Sequence, residues 1–532
     1  MRIITKVLTT VVFTAAFLSS SKVTLGQSAE VTKLSALMQM IDYFYVDTVD
    51  KTKMTDDAIR AVLKDCDPHS VYIPASELKE MNEPLVGKFE GIGIQFNILS
   101  DTIMVTQTIS GGPSEKLGLR PGDRIVNIDG KLVAGTKITN NDVLKKLRGD
   151  KGTKVTVDIF RRGEEKLLVF DIIRDKIPIY SVDATYMAAP EVGYIKISRF
   201  ADTTVDEFKE ALSKLKEKGA KNIILDLTDN GGGYLNRAIE LADEFLADGK
   251  KVVFTQGRTS PLQENFSTSV GGFEKGKLVV MINEYSASAS EIVSGAIQDW
   301  DRGLVVGRRS FGKGLVQKPY SLPDGSAVRL TVARYYTPSG RCIQKSYEKG
   351  DEEYDDDISE RFKHGELYHA DSIKFNDSLK YQTNGKRTVY GGGGIMPDVF
   401  VPLDTTLTSK YYSDLIRKGV LNEFALSYTD DHRNEMKAKY PNATAFKKEF
   451  VIDDKMMEDF YSTAAKKGVE KDEKGIATSG SLINIQLRAL MARDLWNSSA
   501  YFEVINDINN IYQKALQSLQ DNTFDKMKIA GN

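Results

Sequence analysis

The chain has 532 residues and a formal net charge of −2, with 41% hydrophobic and 27% charged residues. This length is enough for roughly three or four domains, and the hydrophobic content is that of a globular protein with a sizeable core. The near-neutral charge excludes an electrostatic case for binding nucleic acid or an anionic membrane surface.

The first residues carry the pattern of a secretory signal peptide. A short cationic segment (residues 1–6) precedes a mostly apolar one (residues 7–18), and small residues follow at 24–26. The apolar segment of about 12 residues is too short to cross a bilayer comfortably. We therefore predict cleavage after Gly26 and export; an uncleaved membrane anchor is the alternative.

Residues 27–85 have a helical pattern. Apolar residues recur there at helical spacing, at Leu34, Leu37, Met38, Ile41 and Tyr45. Residues 55–64 predict a second helix with Thr55 as its cap. The run Asp67-Pro68-His69-Ser70 predicts a turn. His69 could be a ligand or a base, but a structural role in this turn is the simpler interpretation.

Residues 86–176 change to alternating strands. Strands are predicted at 102–108, 154–161 and 165–173, and helices at 114–117 and 140–147. With the run Gly-Leu-Arg-Pro-Gly-Asp that begins at Gly118, this segment resembles a PDZ domain. The resemblance implies that a peptide adds as a strand to a sheet edge. Its terminal carboxylate would bind backbone N–H groups of the glycine-rich loop formed by Gly91, Ile92, Gly93 and Ile94; a simple turn is the alternative.

Residues 177–405 predict an α/β core with parallel strands, because apolar strands alternate there with amphipathic helices. The strands are predicted at 193–197, 221–227, 277–282, 304–307 and 399–401, and the helices at 205–218, 236–246 and 288–300. A charged segment, residues 346–388, interrupts this core and predicts a surface insertion.

Residues 406–532 predict a C-terminal helical region. Its apolar stripe is more typical of a core than of a binding site, and comprises Leu482, Ile485, Leu487, Leu490, Met491 and Leu495. The two cysteines, Cys66 and Cys342, lie in different predicted domains. One disulfide or two separate thiols are both compatible with an exported chain, and no spacing indicates a metal site.

Ser288 and Lys313 form the strongest catalytic candidate. Ser288 opens a predicted helix just after a buried strand, and Lys313 follows 25 residues later between two glycines. A neutral lysine can activate a serine in place of a histidine, and none of the four histidines lies in a motif typical of a catalytic base. Burial would lower the pKa of Lys313 and favour the neutral amine. Ser286 and Ser290 are rival nucleophiles, but capping and packing are simpler roles for both.

The start of this helix also suits an oxyanion. Backbone N–H groups at a helix N-terminus lack intrahelical partners, so the N–H of Ala289 is well placed to stabilise a tetrahedral intermediate. A second donor is needed. The loop 226–233 follows another buried strand and ends in three glycines, of which Gly232 or Gly233 is the candidate.

Together these segments, from about residue 67 to residue 398, resemble the carboxyl-terminal processing (tail-specific) peptidases. The resemblance implies that Ser288 is the nucleophile, Lys313 the general base and Gln317 the residue that orients the lysine. Asp299 matches an acidic position that some members need, although a structural role at the helix end is the alternative. The fold implied is multidomain α+β, with an N-terminal helical segment, a PDZ domain, a protease core related to the crotonase-like fold and a C-terminal helical region.

The chain departs from the family pattern in one loop. Thr228 stands where an arginine is common, and Gly231 where a proline is frequent. Neither departure removes a catalytic side chain, but both bear on loop geometry and substrate preference.

The function implied is that of an exported serine endopeptidase that processes or degrades proteins from their C-terminal ends, and the resemblance implies that it acts in a bacterial periplasm. Its partners would be proteins or peptides with accessible C-terminal tails that end in apolar residues, and not nucleic acid. No metal or cofactor is implied. A recruiting or activating partner and a homo-oligomer are left open. One alternative is a PDZ adaptor with an inactive core, against which the intact Ser288, Lys313 and Gln317 argue. The other is a crotonase-type acyl-thioester enzyme, against which the signal peptide and the PDZ segment argue.

Overall fold

The computed structural model describes residues 28–529 and divides into two compact units, one ending at Ala61 and one beginning at Val62. The first unit contains helix α1 (Ala29–Phe44) and the larger part of helix α2 (Lys51–Lys64). Ser28 caps α1, because its hydroxyl accepts a hydrogen bond from the N–H of Val31 at 3.3 Å. The predicted signal peptide lies outside the described residues. Within residues 28–529, no helix is long and apolar enough to cross a membrane.

The second unit begins with strand β1 (Val71–Ile73) and helix α3 (Ala75–Val86). The segment that resembles a PDZ domain follows. Its elements are β2 (Lys88–Gly91), β3 (Ile94–Leu99), β4 (Thr102–Thr108), α4 (Pro113–Lys116), β5 (Arg124–Ile128), β6 (Lys131–Leu132), α5 (Asn140–Leu147), β7 (Lys154–Phe160), β8 (Leu168–Ile173) and β9 (Asp175–Pro178).

The sheet of this segment has the strand order β3-β4-β5-β7-β8, with β6 beside β5. Strand β7 alternates as the sequence predicts, with Val155, Val157 and Ile159 fully buried in the domain core. Thr139 and Asp142 form a capping box that starts α5. Strand β3 lies at the edge of the sheet, which leaves one side of it available for another strand.

The core follows in chain order. Its elements are β10 (Val182–Ala189), β11 (Val192–Ile197), α6 (Thr204–Glu217), β12 (Asn222–Asp226), α7 (Leu235–Asp243), β13 (Lys251–Gln256), β14 (Gln263–Phe266), β15 (Leu278–Ile282), α8 (Ala289–Asp299), β16 (Leu304–Gly307), β17 (Leu315–Ser321), β18 (Ala327–Tyr336), α9 (Asp351–Lys363), β19 (Lys380–Gln382), β20 (Thr388–Tyr390) and β21 (Val399–Phe400).

The main sheet has the order β10-β11-β12-β15-β16-β21 and is parallel from β11 to β21. All five residues of β15 are buried, as expected for a parallel strand covered on both faces. A second sheet has the order β1-β18-β13-β14, with β17 also on β18. The predicted α/β core with parallel strands is therefore confirmed.

The charged insertion is more than a surface segment. Helix α9 exposes most of its acidic residues but buries Tyr354 and Arg361. The guanidinium of Arg361 donates to the carbonyls of Ser310 at 2.8 Å and Phe311 at 3.0 Å. One face of this helix therefore packs on the loop that leads to Lys313, while the other carries exposed acidic residues.

The C-terminal region is helical, as predicted. It contains α10 (Lys410–Arg417), α11 (Val420–Lys439), α12 (Ala443–Glu449), α13 (Asp454–Lys466), α14 (Glu473–Leu495), α15 (Ser498–Ile505), α16 (Asn510–Gln520) and α17 (Thr523–Lys526). Helices α10 to α15 share a hydrophobic core of their own. Helices α16 and α17 instead cover one face of the main parallel sheet, whose other face packs against α6, α7 and α8.

The C-terminal helices also contact the segment that resembles a PDZ domain. Arg124 Nη2 lies 3.3 Å from Asp430 Oδ2 on α11. The side-chain amide of Gln107 on β4 donates to the carbonyl of Arg493 on α14 at 2.9 Å. These polar contacts hold one side of the sheet against α11 and α14.

Candidate active site

Ser288 lies in the turn between β15 and α8, immediately before the first helical residue. Its φ is 54°, in the left-handed region that non-glycine residues rarely adopt. Such strain persists only where surrounding contacts hold it, and it is concentrated at functional sites. The turn presents a half-buried serine at a helix N-terminus.

The neighbouring serines attach this turn to a second loop. The hydroxyl of Ser286 donates to the carbonyl of Leu227 at 2.8 Å. The hydroxyl of Ser290 donates to the carbonyl of Asn230 at 2.9 Å. Both side chains are fully buried. Attachment of the loop after β12 therefore accounts for both serines, and neither is exposed to a substrate.

Lys313 lies in the loop before β17, and its side chain is partly buried. Burial is the largest effect that lowers the pKa of Lys313, and the positive charge of Arg329 lowers it further. The carboxylates of Glu291 and Asp67 act in the opposite direction. The net lowering of the pKa favours the neutral amine that a general base requires.

A buried carboxylate joins the serine turn to the lysine loop. Oε2 of Glu291 accepts hydrogen bonds from the N–H groups of Ser288 at 2.8 Å and Lys313 at 2.9 Å. Oε1 accepts from the N–H of Gly312 at 2.8 Å and from the hydroxyl of Ser310 at 2.5 Å. Burial raises the pKa of Glu291 to about 7, against the opposing effect of these hydrogen bonds. Glu291 thereby holds the backbones of Ser288 and Lys313 in register.

The sequence reasoning missed Glu291, although one pattern could have indicated it. Ser288-x-x-Glu291 is the spacing of a capping box, in which the glutamate binds the N–H of the N-cap residue. The bonds to Gly312 and Lys313 span 21 and 22 residues, so no local pattern predicts them.

The backbone donors expected to bind an oxyanion lie on two packed loops. A Cβ on Gly232 would lie 2.8 Å from Ser288 Cβ and 3.0 Å from the nitrogen of Ala289, so only glycine fits there. The N–H of Gly232 already donates to Asn230 Oδ1 at 2.9 Å. The N–H groups of Ala289 and Gly233 have no hydrogen-bond partner within residues 28–529, and they are the free donors of the predicted set.

One cavity of about 740 Å³ brings together most of the residues predicted for catalysis and for the oxyanion. Five of these seven line it, namely Ser288, Lys313, Gln317, Gly232 and Gly233. Ala289 directly follows the serine. In the part of the chain that the structure describes, the two side chains share the cavity without a hydrogen bond between Ser288 Oγ and Lys313 Nζ.

Gln317 belongs to a hydrogen-bond chain that crosses β17 and β18. Its Nε2 donates to Thr331 Oγ1 at 3.2 Å. Thr331 Oγ1 in turn donates to Asp67 Oδ1 at 3.0 Å. The hydroxyl of Ser70 donates to the other oxygen of Asp67 at 2.6 Å. The turn predicted at 67–70 therefore lies beside the cavity and anchors the strand that faces Gln317.

His69, in the same turn, lies near the site but its ring is engaged. His69 Nε2 is 2.8 Å from the hydroxyl of Tyr354 on α9. Burial and then the positive charge of Lys313 lower the pKa of His69 to about 4, so the ring is neutral at physiological pH. These contacts fit the structural interpretation of this histidine.

Asp299 lies at the opposite end of α8 from Ser288, roughly 16 Å along the helix axis. Its Oδ1 is 2.7 Å from Arg341 Nη2, and both side chains are almost fully buried. Its Oδ2 accepts a hydrogen bond from the N–H of Ser339 at 3.0 Å. Asp299 does not line the cavity that holds Ser288, so any catalytic contribution would have to act through its contacts with Arg341 and Ser339.

The predicted peptide-binding residues lie between β2 and the edge strand β3. Gly91 ends β2, Ile94 begins β3, and Gly93 between them has a φ of 77°. Ile92 is buried in the domain core, which also includes Val143 and Leu147 of helix α5. The loop therefore joins the edge strand β3 to the domain core, to which α5 contributes.

The two cysteines are not joined by a disulfide. Cys66 is exposed and Cys342 partly buried, and both are free thiols. Among the described residues, no group of three or more His, Cys, Asp or Glu side chains is arranged to hold a metal ion.

Sequence comparisons identify families for three segments. Residues 191–354 match peptidase family S41, residues 104–161 match the PDZ domain, and residues 411–497 match a family of unknown function. The carboxy-terminal-processing protease of Bartonella bacilliformis is 34% identical over 403 residues, which cover 73% of this chain and 90% of that protein. The probable CtpA-like serine protease of Staphylococcus aureus strain N315 is 34% identical over 343 residues, which cover 64% of this chain and 68% of that protein.

Two solved structures also align with the chain. The photosystem II D1 C-terminal processing protease covers 71% of this chain and 89% of its own, at 26% identity and a TM-score of 0.37. The PDZ domain of the carboxy-terminal protease from Vibrio cholerae, solved in complex with a peptide, covers 17% of this chain and 97% of its own, at 32% identity and a TM-score of 0.16. Both TM-scores are low, and the family follows from the sequence matches instead.

Proposed function

This chain belongs to the carboxy-terminal-processing serine peptidases of family S41 and contains a PDZ domain, and we propose that its catalysis uses Ser288 as the nucleophile and Lys313 as the general base. The observation that carries this proposal is the shared cavity, which both side chains line. Glu291 binds the backbone N–H groups of both residues, and the lowered pKa of Lys313 favours its neutral form.

The reaction then follows the logic of acyl transfer. Lys313 Nζ takes the proton of Ser288 Oγ as the oxygen attacks the scissile carbonyl carbon. The N–H groups of Ala289 and Gly233 stabilise the oxyanion of the tetrahedral intermediate. Lys313 returns the proton to the leaving amine, and the C-terminal fragment departs. Water, deprotonated by Lys313, hydrolyses the acyl-enzyme ester and regenerates the serine.

Gln317 orients the lysine in this proposal. Its Nε2 is anchored on Thr331, whereas its Oε1 has no partner among the residues that the structure describes. A free amide oxygen on the cavity wall can accept a hydrogen bond from Lys313 Nζ. Anchoring of the nitrogen fixes which way the amide faces, and the contact from Thr331 to Asp67 supports that orientation from outside the cavity.

The PDZ domain captures the substrate tail. An extended tail would pair with the open edge of β3, and its terminal carboxylate would bind N–H groups of the loop Gly91, Ile92, Gly93 and Ile94. The β3 edge beside this loop carries apolar side chains, since Ile94, Phe96 and Ile98 are only partly buried where they pack against the domain core. Tails that end in apolar residues are therefore the expected substrates. Export through residues 1–26 remains a prediction from the sequence.

The test is cleavage of an unstructured protein with an apolar C-terminus. We expect wild type to cleave it and Ser288→Ala and Lys313→Ala to be inactive while remaining folded by circular dichroism. Ser213→Ala and Lys218→Ala, two exposed positions on or next to α6, are the matched controls and should cleave normally. Cleavage by Ser288→Ala at the wild-type rate would disprove the assigned nucleophile.

Tail capture is tested separately with the same substrate. Amidation of its C-terminus removes the carboxylate and should lower kcat/KM, because the loop N–H groups lose their acceptor. A kcat/KM that is unchanged by amidation would disprove tail capture and leave the assignment of Ser288 and Lys313 intact.

A further inference from the structure

The wall of the catalytic cavity carries an arginine that the proposed reaction does not use. Arg329 lies on β18, where it pairs with Val71 of β1 on one side and Pro319 of β17 on the other. Side chains two residues apart on a strand share a face, so Arg329 and Thr331 lie on one face of β18. Arg329 lines the same cavity as Ser288.

The cavity is cationic and has no acidic wall. Among the described residues that line it none is Asp or Glu, whereas Lys313, Lys318 and Arg329 are basic. Most of the other lining side chains are apolar, including Ile73, Leu78, Leu85, Val86, Leu235 and Ile292. An apolar wall excludes water and strengthens the attraction between a fixed positive charge and an anion inside the cavity.

The nearby carboxylates are already occupied. Asp67 accepts hydrogen bonds from the turn 67–70 and from Thr331. Glu291 accepts four hydrogen bonds from the serine turn and the lysine loop. Within residues 28–529, Arg329 forms no ion pair with either of them or with any other carboxylate. A half-buried guanidinium on the cavity wall is therefore available to a ligand.

We propose that Arg329 binds a carboxylate of the substrate inside the catalytic cavity and determines which peptide bond is cleaved. The guanidinium presents paired N–H donors that match a carboxylate in a bidentate arrangement. That carboxylate is supplied either by an Asp or Glu side chain near the scissile bond or by the terminal carboxylate of the chain being cut. The inference rests on the proposed function, since it assumes that substrate enters this cavity to reach Ser288.

This role is distinct from an effect on the base. The positive charge of Arg329 also lowers the pKa of Lys313, which would change cleavage of every substrate by the same factor. Recognition of a carboxylate instead changes the ratio of rates between two substrates that differ only in that group. The ratio is therefore the quantity to measure.

The experiment uses the full chain and a set of quenched fluorescent peptides. Each peptide carries one Glu, or the matched Gln, at a single position on either side of the cleaved bond, and each is made with a free or an amidated C-terminus. The enzymes are wild type, Arg329→Gln and Arg329→Lys. Arg334→Gln is the matched control, because Arg334 lies on the same strand, is exposed and does not line the cavity.

We expect wild type and Arg334→Gln to prefer a carboxylate at one position by about 10- to 100-fold in kcat/KM, the range for a hydrogen bond to a charged group. Arg329→Gln should abolish this preference and Arg329→Lys should retain part of it. A preference for Glu over Gln that Arg329→Gln abolishes identifies a side chain. An effect of amidation that is smaller in Arg329→Gln than in wild type identifies the chain terminus, because the loss of capture at the PDZ loop is common to both enzymes. A Glu/Gln ratio and an amidation effect that are both the same in wild type and Arg329→Gln would overturn the proposal.

A second measurement does not depend on turnover. Binding of the amidated Glu and Gln peptides to Ser288→Ala and to Ser288→Ala/Arg329→Gln is compared by fluorescence anisotropy, and amidation prevents capture through a free carboxylate at the PDZ loop. If a side chain supplies the carboxylate, the Kd of the Glu peptide should be higher for the double variant than for Ser288→Ala. Activity in Ser288→Ala would instead refute the proposed function. An inactive Ser288→Ala, together with a Glu/Gln ratio and an amidation effect that Arg329→Gln leaves unchanged, refutes only the role of Arg329.

Discussion

Replacement of Glu291 by glutamine should disrupt the active site without changing its size. The glutamate accepts four hydrogen bonds, two on each oxygen. In glutamine one of these atoms becomes a donor, so in either orientation two buried donors lose their acceptor. Each such group costs about 1–3 kcal/mol, which predicts a loss of about 2–6 kcal/mol in the free energy of unfolding.

The same substitution should lower activity further than stability requires. Release of either bond on Oε2 allows the N–H groups of Ser288 and Lys313 to separate, and a displacement of about 1 Å can cost about 100-fold in rate. Unfolding by urea and kcat/KM are measured at pH 8, above the pKa of about 7 that burial gives Glu291. Glu470→Gln, at an exposed position, is the control. A Glu291→Gln variant with the stability and kcat/KM of wild type would refute the role of Glu291 in holding the backbones of Ser288 and Lys313.

Three further outcomes are expected. Because a general base must be neutral, kcat/KM should rise with pH as Lys313 loses its proton. Arg329→Gln should move this rise to higher pH, because it removes a positive charge that lowers the pKa of Lys313. A pH profile that does not move would contradict this electrostatic effect of Arg329 on Lys313. Gly233→Ala should lower kcat by about 100-fold or more, because φ at Gly233 is 149° and a Cβ there would meet the Phe200 backbone; normal kcat would exclude this loop from the oxyanion site. Asp430→Lys places a positive charge next to Arg124 and should speed amide hydrogen exchange in the PDZ sheet and in α11 by about tenfold. Unchanged exchange would show that this ion pair does not hold the PDZ sheet against α11.

The local parts of this protein were predictable from its sequence. Apolar strands that alternate with amphipathic helices predicted the α/β core, and period-two alternation predicted β7. Both patterns are visible in the sequence because the faces of a strand that are buried select apolar residues at those positions. The position of Ser288 between a buried strand and a helix start was likewise a local property. The candidate site residues that line the cavity were mostly found in this way.

The parts that the sequence did not reveal are contacts between distant segments. Asp67 and Thr331 are 264 residues apart and still form a hydrogen bond that anchors the strand facing Gln317. Arg361 belongs to a segment whose many charges suggested exposure to solvent, but its guanidinium is buried and donates to the carbonyls of Ser310 and Phe311 in the loop before Lys313. A charged residue in isolation gives no indication of whether a distant carbonyl will satisfy it.

The proposed chemistry was inferred from residue types and short spacings: a serine at a helix start, a lysine between glycines, and two loops of backbone donors. Its geometry required the folded chain. Four donors converge on Glu291, and the residues among 28–529 that line the cavity include three basic side chains and no carboxylate. Neither feature has a local pattern, because burial and charge balance are set by which segments pack together, and that packing depends on the whole core rather than on any single stretch of sequence.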